Sequence, residues 1–243
     1  MQQGCFFLIG ITQQEKASMS ALLVQDYLQT QGLQLPQDEV LVALRLAQAV
    51  ISMGAASVER SILWYANDEA VLAEHIEADA GSEALLKQIF MALDSAFERA
   101  PCQSAVVYGL MPSENENTTP YLLRLAQQGA ALAQVLLLDE AHAWTDLPSR
   151  TAQTGWLNLV QDVPHWLSLD ELRGEQNLRS QSQMSLPICL ENGAVLGVLQ
   201  LEHAGKNGFD EAAQIVWVAL ALALAAPLQA LLRPEKEEEA QDE

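Results

Sequence analysis

The first third of the chain places apolar residues at helical spacing. Residues 13–32 carry them on a period of about 3.6 residues and end at a glycine. Residues 37–54 run from acidic first-turn residues to a second glycine, which are the start and stop signals of a helix. Residues 55–80 continue with one or two more helices. We therefore predict a helical N-terminal region over residues 1–80.

The pattern changes from helical to mixed after this region. Residues 82–100 predict a strong helix with one apolar stripe, and Pro101 ends it. A short β-rich run follows at 104–111, and a loop rich in Glu and Asn follows at 112–120. Residues 121–129 fit either a second strand or a helix.

A hairpin is the clearest element of the second half. Its strands, 182–190 and 194–203, are joined through Asn192-Gly193, the strongest short hairpin signal. Gly197 in the second strand marks a close backbone approach, which either lets a helix pack tightly or opens room for a ligand. Before the hairpin, a short helix ending at Gly155 leads into a further strand. This order predicts an α+β fold, a central antiparallel sheet with helices packed on it, preceded by a helical extension.

The last predicted helix begins near Asp210 and is very apolar. Residues 215–232 contain one polar side chain, Gln229, and so meet the length criterion for a membrane span. Pro227, the high alanine content and acidic flanks on both sides weigh against that reading. We predict a helix buried against the core and a partner subunit, with membrane attachment as the alternative.

The net charge of the chain excludes some classes of binding partner. The chain has 32 acidic and 12 basic residues and a net charge of −20. Such a surface repels nucleic-acid phosphates and anionic lipids, so we expect no nucleic acid and no membrane among the partners. With 50% hydrophobic residues, most of the chain can bury enough surface to fold. Residues 233–243 are predicted to form a disordered acidic tail.

The cysteines and the N-terminus bear on the compartment. Cys5, Cys102 and Cys189 are odd in number and widely spaced, which argues against a disulfide framework and against a zinc site. The first residues have neither the basic start nor the long apolar run of a secretory signal. We expect a cytoplasmic protein with no metal and no cofactor.

Three segments together resemble a GAF domain: residues 149–163, a small helix and an edge strand; 185–203, a hairpin; and 208–232, an aromatic-acid turn and a long Ala/Leu helix. The likeness spans residues 82–232, whereas residues 1–80 resemble no family that we can name. It implies a sensory or regulatory module that binds a small molecule in a pocket over the sheet. It also implies that the terminal helices pair in a homodimer.

The resemblance places one wall of that pocket at residues 139–183, which contain three of the five tryptophans. Aromatic walls with a few polar groups suit a small ligand. The alternative is that the tryptophans fill the core. The candidate ligand-binding residues are Trp144, Trp156, Asp162, His165, Trp166 and Arg179.

Arg179 offers a specific chemistry within this wall, because a guanidinium can clamp an anion with two hydrogen bonds. The stretch between Arg173 and Arg179 is less acidic than the rest of the chain, so we expect it to admit an anion. The alternative is a solvated arginine.

Three known activities of GAF domains each require particular residues, which can be sought in this sequence. Cyclic-nucleotide-binding members have an Asn-Lys, Phe and Asp-Glu signature, and residues 206–211 hold these types in the wrong order and spacing. Bilin-binding members and free methionine sulfoxide reductases use cysteines in the pocket wall, and none lies between Cys102 and Cys189. The sequence shows no other catalytic motif.

We therefore predict a non-enzyme with no catalytic residues. Its predicted function is to bind an unidentified small molecule and to relay that event to a partner. The alternative is a GAF fold that binds no ligand and acts as a dimerisation or docking scaffold.

Overall fold

The computed structural model describes residues 13–53, 58–67, 69–113 and 118–232. The predicted tail at 233–243, Cys5 and residues 114–117 of the predicted 112–120 loop lie outside the described residues.

Four helices precede the first strand in the described chain, and two helices follow the last one. The α-helices are α1 (Gln13–Thr30), α2 (Gln37–Met53), α3 (Arg60–Leu63), α4 (Ala80–Arg99), α5 (His142–Thr145), α6 (Leu147–Thr154), α7 (Val163–Ser168), α8 (Glu211–Ala223) and α9 (Ala225–Leu232). The strands are β1 (Ser104–Met111), β2 (Tyr121–Gly129), β3 (Val135–Leu137), β4 (Asn158–Val160), β5 (Ser182–Cys189) and β6 (Val195–His203). Short 3-10 turns cover Leu72–Glu74 and Glu175–Arg179.

The strands form one antiparallel sheet in the order β3-β2-β1-β6-β5-β4. The predicted α+β class is confirmed, and residues 121–129 are a strand rather than a helix. Strand β3 and the one-turn helix α5 were not predicted. Both are too short to show a period that distinguishes them from loop.

The ends of the long helices follow local chemistry. Asp79 caps α4 by accepting a hydrogen bond from the Ser82 backbone N–H (2.6 Å). Asp210 caps α8 in the same way through Ala213 N–H (2.8 Å). The helix that precedes β4 ends, as predicted, at Gly155, whose φ of 70° suits glycine.

The first helices share a core with the sheet. Val24 of α1 and Val40 and Leu44 of α2 are fully buried in the same apolar cluster as Leu220 of α8. Helix α2 packs directly on α8 and α4. The predicted boundary near residue 80 falls at the start of α4, and the core continues across it.

The apolar C-terminal helix is covered mainly by its own chain. Residues 211–232 are long and apolar enough to cross a membrane, yet 67% of the apolar window is buried inside the protein. Trp217, Leu220 and Leu228 are fully buried. Packing within the chain therefore accounts for the apolar character that the sequence also assigned to a partner subunit.

Gly197 lies where two layers meet. A Cβ at this position would overlap the backbone carbonyl of Tyr108 on β1 and would approach Leu228 of α9 to 2.9 Å. The glycine therefore permits tight packing of helix and strand and does not open space for a ligand.

Replacing Gly197 with alanine is expected to lower the free energy of unfolding by about 1–3 kcal/mol, because the backbone of β1 cannot yield as a side chain would. Urea denaturation measures the change. The matched control is Gly81→Ala in the first turn of α4, where a Cβ meets only Asp79 Oδ1 at 3.4 Å. We expect this control to keep or raise stability, and equal stability of both variants would contradict the packing argument.

Candidate functional site

A cavity of about 130 Å³ lies on the face of the sheet opposite α4 and α8. The sheet forms its floor, α6 and the 175–179 turn form its roof, and the β2–β3 connection closes one side. The lining residues are Tyr108, Leu132, Ala133, Leu136, Asp146, Leu147, Pro148, Gln176, Asn177, Arg179, Gln183, Gln200 and Glu202.

The floor carries polar side chains that are buried. In the antiparallel register of β5 and β6, Gln183 pairs with Glu202 and Ser185 pairs with Gln200. Because side chains alternate along a strand, these four residues share one face, and each is at most 2% exposed. The sheet is covered on both sides, and the face that carries these four residues is polar.

An ion pair connects the roof to the floor. Arg179 donates from Nε and Nη2 to both carboxylate oxygens of Glu202, at 2.6–3.0 Å. The Glu202 side chain is 1% exposed and that of Arg179 is 40% exposed. Burial alone would lower the pKa of Arg179, but the hydrogen bonds and charge of Glu202 raise it above its ordinary value. This arginine therefore holds an anion of its own chain.

Tyr108 reaches the cavity from β1. Its hydroxyl donates to the carbonyl of Ala133 (2.8 Å), which fixes the β2–β3 connection over the sheet. Burial raises the pKa of Tyr108 well above its ordinary value, so the phenol stays protonated as a donor.

Arg179 is the one predicted ligand-binding residue that lines this cavity. Trp144 lies on the outer side of α5, with the guanidinium groups of Arg150 and Arg173 over its ring at 5.3 and 5.1 Å. Trp156 is exposed just beyond α6. Neither tryptophan fills the core.

The other three predicted residues gather at α7. Asp162 caps this helix by accepting from His165 N–H (3.1 Å) and binds Lys206 Nζ (2.7 Å). The hydrogen bond from Lys206 is the main reason that the pKa of Asp162 lies below its ordinary value. His165 is exposed, and Trp166 packs against a small apolar cluster beneath α7.

The lining offers hydrogen bonds and charge, with no cysteine or histidine among its residues. Cys102 and Cys189 lie elsewhere, and burial raises the pKa of these thiols to about 12 and about 11. Within the described part of the chain, no three His, Cys, Asp or Glu side chains come together as a metal site.

Sequence reasoning missed most of the lining, including Tyr108, Asp146, Gln183, Gln200 and Glu202. One signal was present: Gln200 and Glu202 are two residues apart in an otherwise apolar strand. That alternation is typical of a solvent-facing strand, and the sequence does not show that α6 and the 175–179 turn cover it.

Comparisons by sequence give no relatives. No protein-family model matches this chain. No curated protein matches it either.

Comparisons by structure identify the fold. The GAF domain of a phosphoenolpyruvate-protein phosphotransferase from Acinetobacter has a TM-score of 0.50 and 17% identity, covering 77% of this chain and 91% of its own. A GAF sensor protein from Burkholderia vietnamiensis has a TM-score of 0.50 and 15% identity, covering 77% and 92%. A free methionine-R-sulfoxide reductase from Neisseria meningitidis has the same score and identity, covering 77% and 87%.

The chain therefore has the GAF-domain fold, as the sequence resemblance implied. The matched share of 77% is larger than residues 82–232, so the similarity includes residues outside that range. Regulatory domains and an enzyme both occur among these neighbours, so the fold by itself does not decide between these roles.

The Arg179–Glu202 pair is expected to respond asymmetrically to mutation. Arg179→Met leaves a buried carboxylate without a partner. It should lower the free energy of unfolding by more than about 1 kcal/mol, and by up to roughly 3–5 kcal/mol, which is the cost of breaking a fully buried pair. Glu202→Gln should cost less, because the arginine reaches solvent. Urea denaturation of both variants and of the double mutant measures the coupling.

The double mutant should be more stable than the sum of the single changes implies. Arg60→Met, which breaks a pair between an exposed arginine and Glu83, is the control and should change stability little. If the stability losses of the two single variants add up in the double mutant, or if they are equal, the Arg179–Glu202 pair does not hold the 175–179 turn against the sheet.

Proposed function

We propose that this protein is a non-catalytic sensory or regulatory module that binds a small molecule in the cavity and relays binding to a partner. The observation that carries this proposal is the lining itself. Buried polar side chains from β1, β5, β6 and the 175–179 turn converge on one small space. Most of these groups have partners within the protein, but Gln200 Oε1 is buried without one in the described part of the chain. An unpaired buried polar group is costly unless a ligand satisfies it, and this supports a bound ligand.

The lining also supports a non-catalytic role. Two of its charged side chains, Arg179 and Glu202, form an ion pair with each other. Tyr108 is held protonated by burial, and no thiol or imidazole is present among the lining residues to act as nucleophile or base.

A contact route leads from the cavity towards the N-terminal helices. Leu147 and Pro148 of α6 line the cavity, and α6 ends at Gly155. Gln31, the residue after α1, donates to the Gly155 carbonyl (3.0 Å) and accepts from Leu157 N–H (2.6 Å). A ligand that displaces α6 would therefore move the end of α1, and we propose that the partner senses this displacement.

Blocking the cavity mouth is expected to abolish ligand binding without unfolding the protein. Ala133 is exposed and lines the mouth, so Ala133→Trp should cover it. A panel of amino acids, nucleotides, amines, amides and carboxylates is screened by thermal unfolding. A true ligand at a hundredfold excess over its Kd stabilises the folded state by about 2.7 kcal/mol.

The control is Ala131→Trp, an exposed neighbour outside the lining, which should keep the full thermal shift. The proposal fails if no compound raises the melting temperature, or if the shift persists in Ala133→Trp.

A second candidate function, a homodimerising scaffold built on the terminal helices, is favoured by one face of α2. Val42, Leu46 and Met53 are 66%, 45% and 70% exposed, and Ala49 between them is also exposed. Their alternating spacing of four and three residues is that of a coiled-coil seam. We propose that a second copy of the chain covers this face, because a seam of this kind pairs with another helix of the same pattern.

A charge within the stripe is expected to prevent this association. Leu46→Lys should shift a dimer to monomer in analytical ultracentrifugation at micromolar concentration, because a lysine in the seam cannot be desolvated cheaply. Gln48→Lys, exposed on the same helix but off the stripe, adds the same charge and should leave the dimer intact. A wild-type protein that sediments only as monomer would overturn this candidate.

A further inference from the structure

Three side-chain amides lie one after another beneath the cavity, and their orientation bears on the kind of ligand that the cavity can bind. The series begins at Asn177 in the 175–179 turn, passes through Gln183 on β5 and ends at Gln200 on β6. All three residues are at most 3% exposed. An amide has one donor end and one acceptor end, and the groups that each end contacts fix its orientation.

The orientation is set at the Asn177 end by backbone carbonyls, which only accept. Asn177 Nδ2 donates to the carbonyls of Thr145 (2.8 Å) and Arg173 (2.7 Å). Its Oδ1 therefore accepts, and Gln183 Nε2 donates to it at 3.0 Å. Gln183 Nε2 also donates to Ser180 Oγ at 2.9 Å.

The same logic carries to Gln200. With its nitrogen committed to Asn177, Gln183 presents Oε1 to Gln200, whose Nε2 lies 3.5 Å away. The Leu201 carbonyl lies at the same distance from that nitrogen. Turning the Gln200 amide around would set its oxygen against these two acceptors. Gln200 Oε1 is consequently left as a buried acceptor with no hydrogen-bond partner in the described part of the chain.

The charges of the lining agree with this polarity. Asp146 and Glu202 provide two carboxylates against the single guanidinium of Arg179. Two of the three guanidinium nitrogens already bind Glu202. The lining thus has one negative charge in excess, and an added anion would meet repulsion in a site of low dielectric.

We propose that the cavity binds a small ligand that donates an N–H hydrogen bond to Gln200 Oε1, carried by an amidinium, ammonium or primary amide group, and that it rejects carboxylates of the same shape. This inference rests on the proposed function of the cavity. The volume of about 130 Å³ limits the ligand to a few carbon atoms beyond the donor group.

Three molecules of one shape test the inference. Isobutyramidinium, isobutyramide and isobutyrate share the same carbon skeleton and a planar head group, and they differ only in charge and donors. Each is titrated into the full chain, and dissociation constants are taken from NMR shifts of the Gln183 and Gln200 side-chain amides. We expect isobutyramidinium to bind most tightly, isobutyramide less tightly and isobutyrate not at all.

Two variants localise the recognition. Gln200→Leu should weaken isobutyramide about tenfold, the order of one lost hydrogen bond. The control Gln161→Leu removes another partly unpaired amide that lies outside the lining and should leave binding unchanged. Asp146→Asn should lower the preference for isobutyramidinium over isobutyramide. In both cavity variants, backbone amide shifts of the cavity residues report binding.

The outcomes separate this inference from the proposed function. Binding of isobutyrate as tight as that of isobutyramide overturns the donor requirement while the cavity remains a ligand site. Unchanged binding of isobutyramide to Gln200→Leu overturns the role of Gln200. If none of the three molecules shifts any cavity resonance, the inference fails, and the metabolite screen then decides separately whether the cavity binds another class.

Discussion

The burial of Glu202 on a sheet covered from both sides is the constraint on which the functional face depends. A carboxylate without water needs a charged partner inside the protein, and Arg179 provides it through both carboxylate oxygens. The bond fixes the 175–179 turn above β6. The same turn carries Asn177, which orients the amides of Gln183 and Gln200. One ion pair thus positions the roof of the cavity and, through it, the polarity of the floor.

The opposite face of the sheet obeys a simpler rule, the exclusion of water by apolar packing. Helix α8 lies against the sheet and is covered in turn by α2, so the C-terminal helix is an inner layer. This arrangement makes α1 and α2 part of the folded domain and not an appendage. The sequence predicted an apolar surface for a partner on the C-terminal helix. In the structure, the exposed apolar side chains lie instead on the outer face of α2.

The fold could be predicted further than the site, and the physical reason lies in the range of the interactions. The hairpin of β5 and β6, the Gly155 helix end and the start of the last helix at Asp210 depend on residues a few positions apart, and all three were predicted. The partners Arg179 and Glu202 are 23 residues apart on different layers. The site prediction relied on the tryptophans because aromatic side chains often line pockets. Trp144, however, is exposed and has the guanidinium groups of Arg150 and Arg173 over its ring.

The negative net charge of the chain bears on which ligands can enter the cavity. The segment between Arg173 and Arg179 was expected to admit an anion because it is less acidic than the rest of the chain. Arg173 is already held by both oxygens of Asp170, and Arg179 by both oxygens of Glu202. The negative field of a molecule with net charge −20 is therefore not reversed at the cavity. A long-range field that repels anions and a local acceptor without a donor act in the same direction, and together they favour a ligand that brings N–H groups.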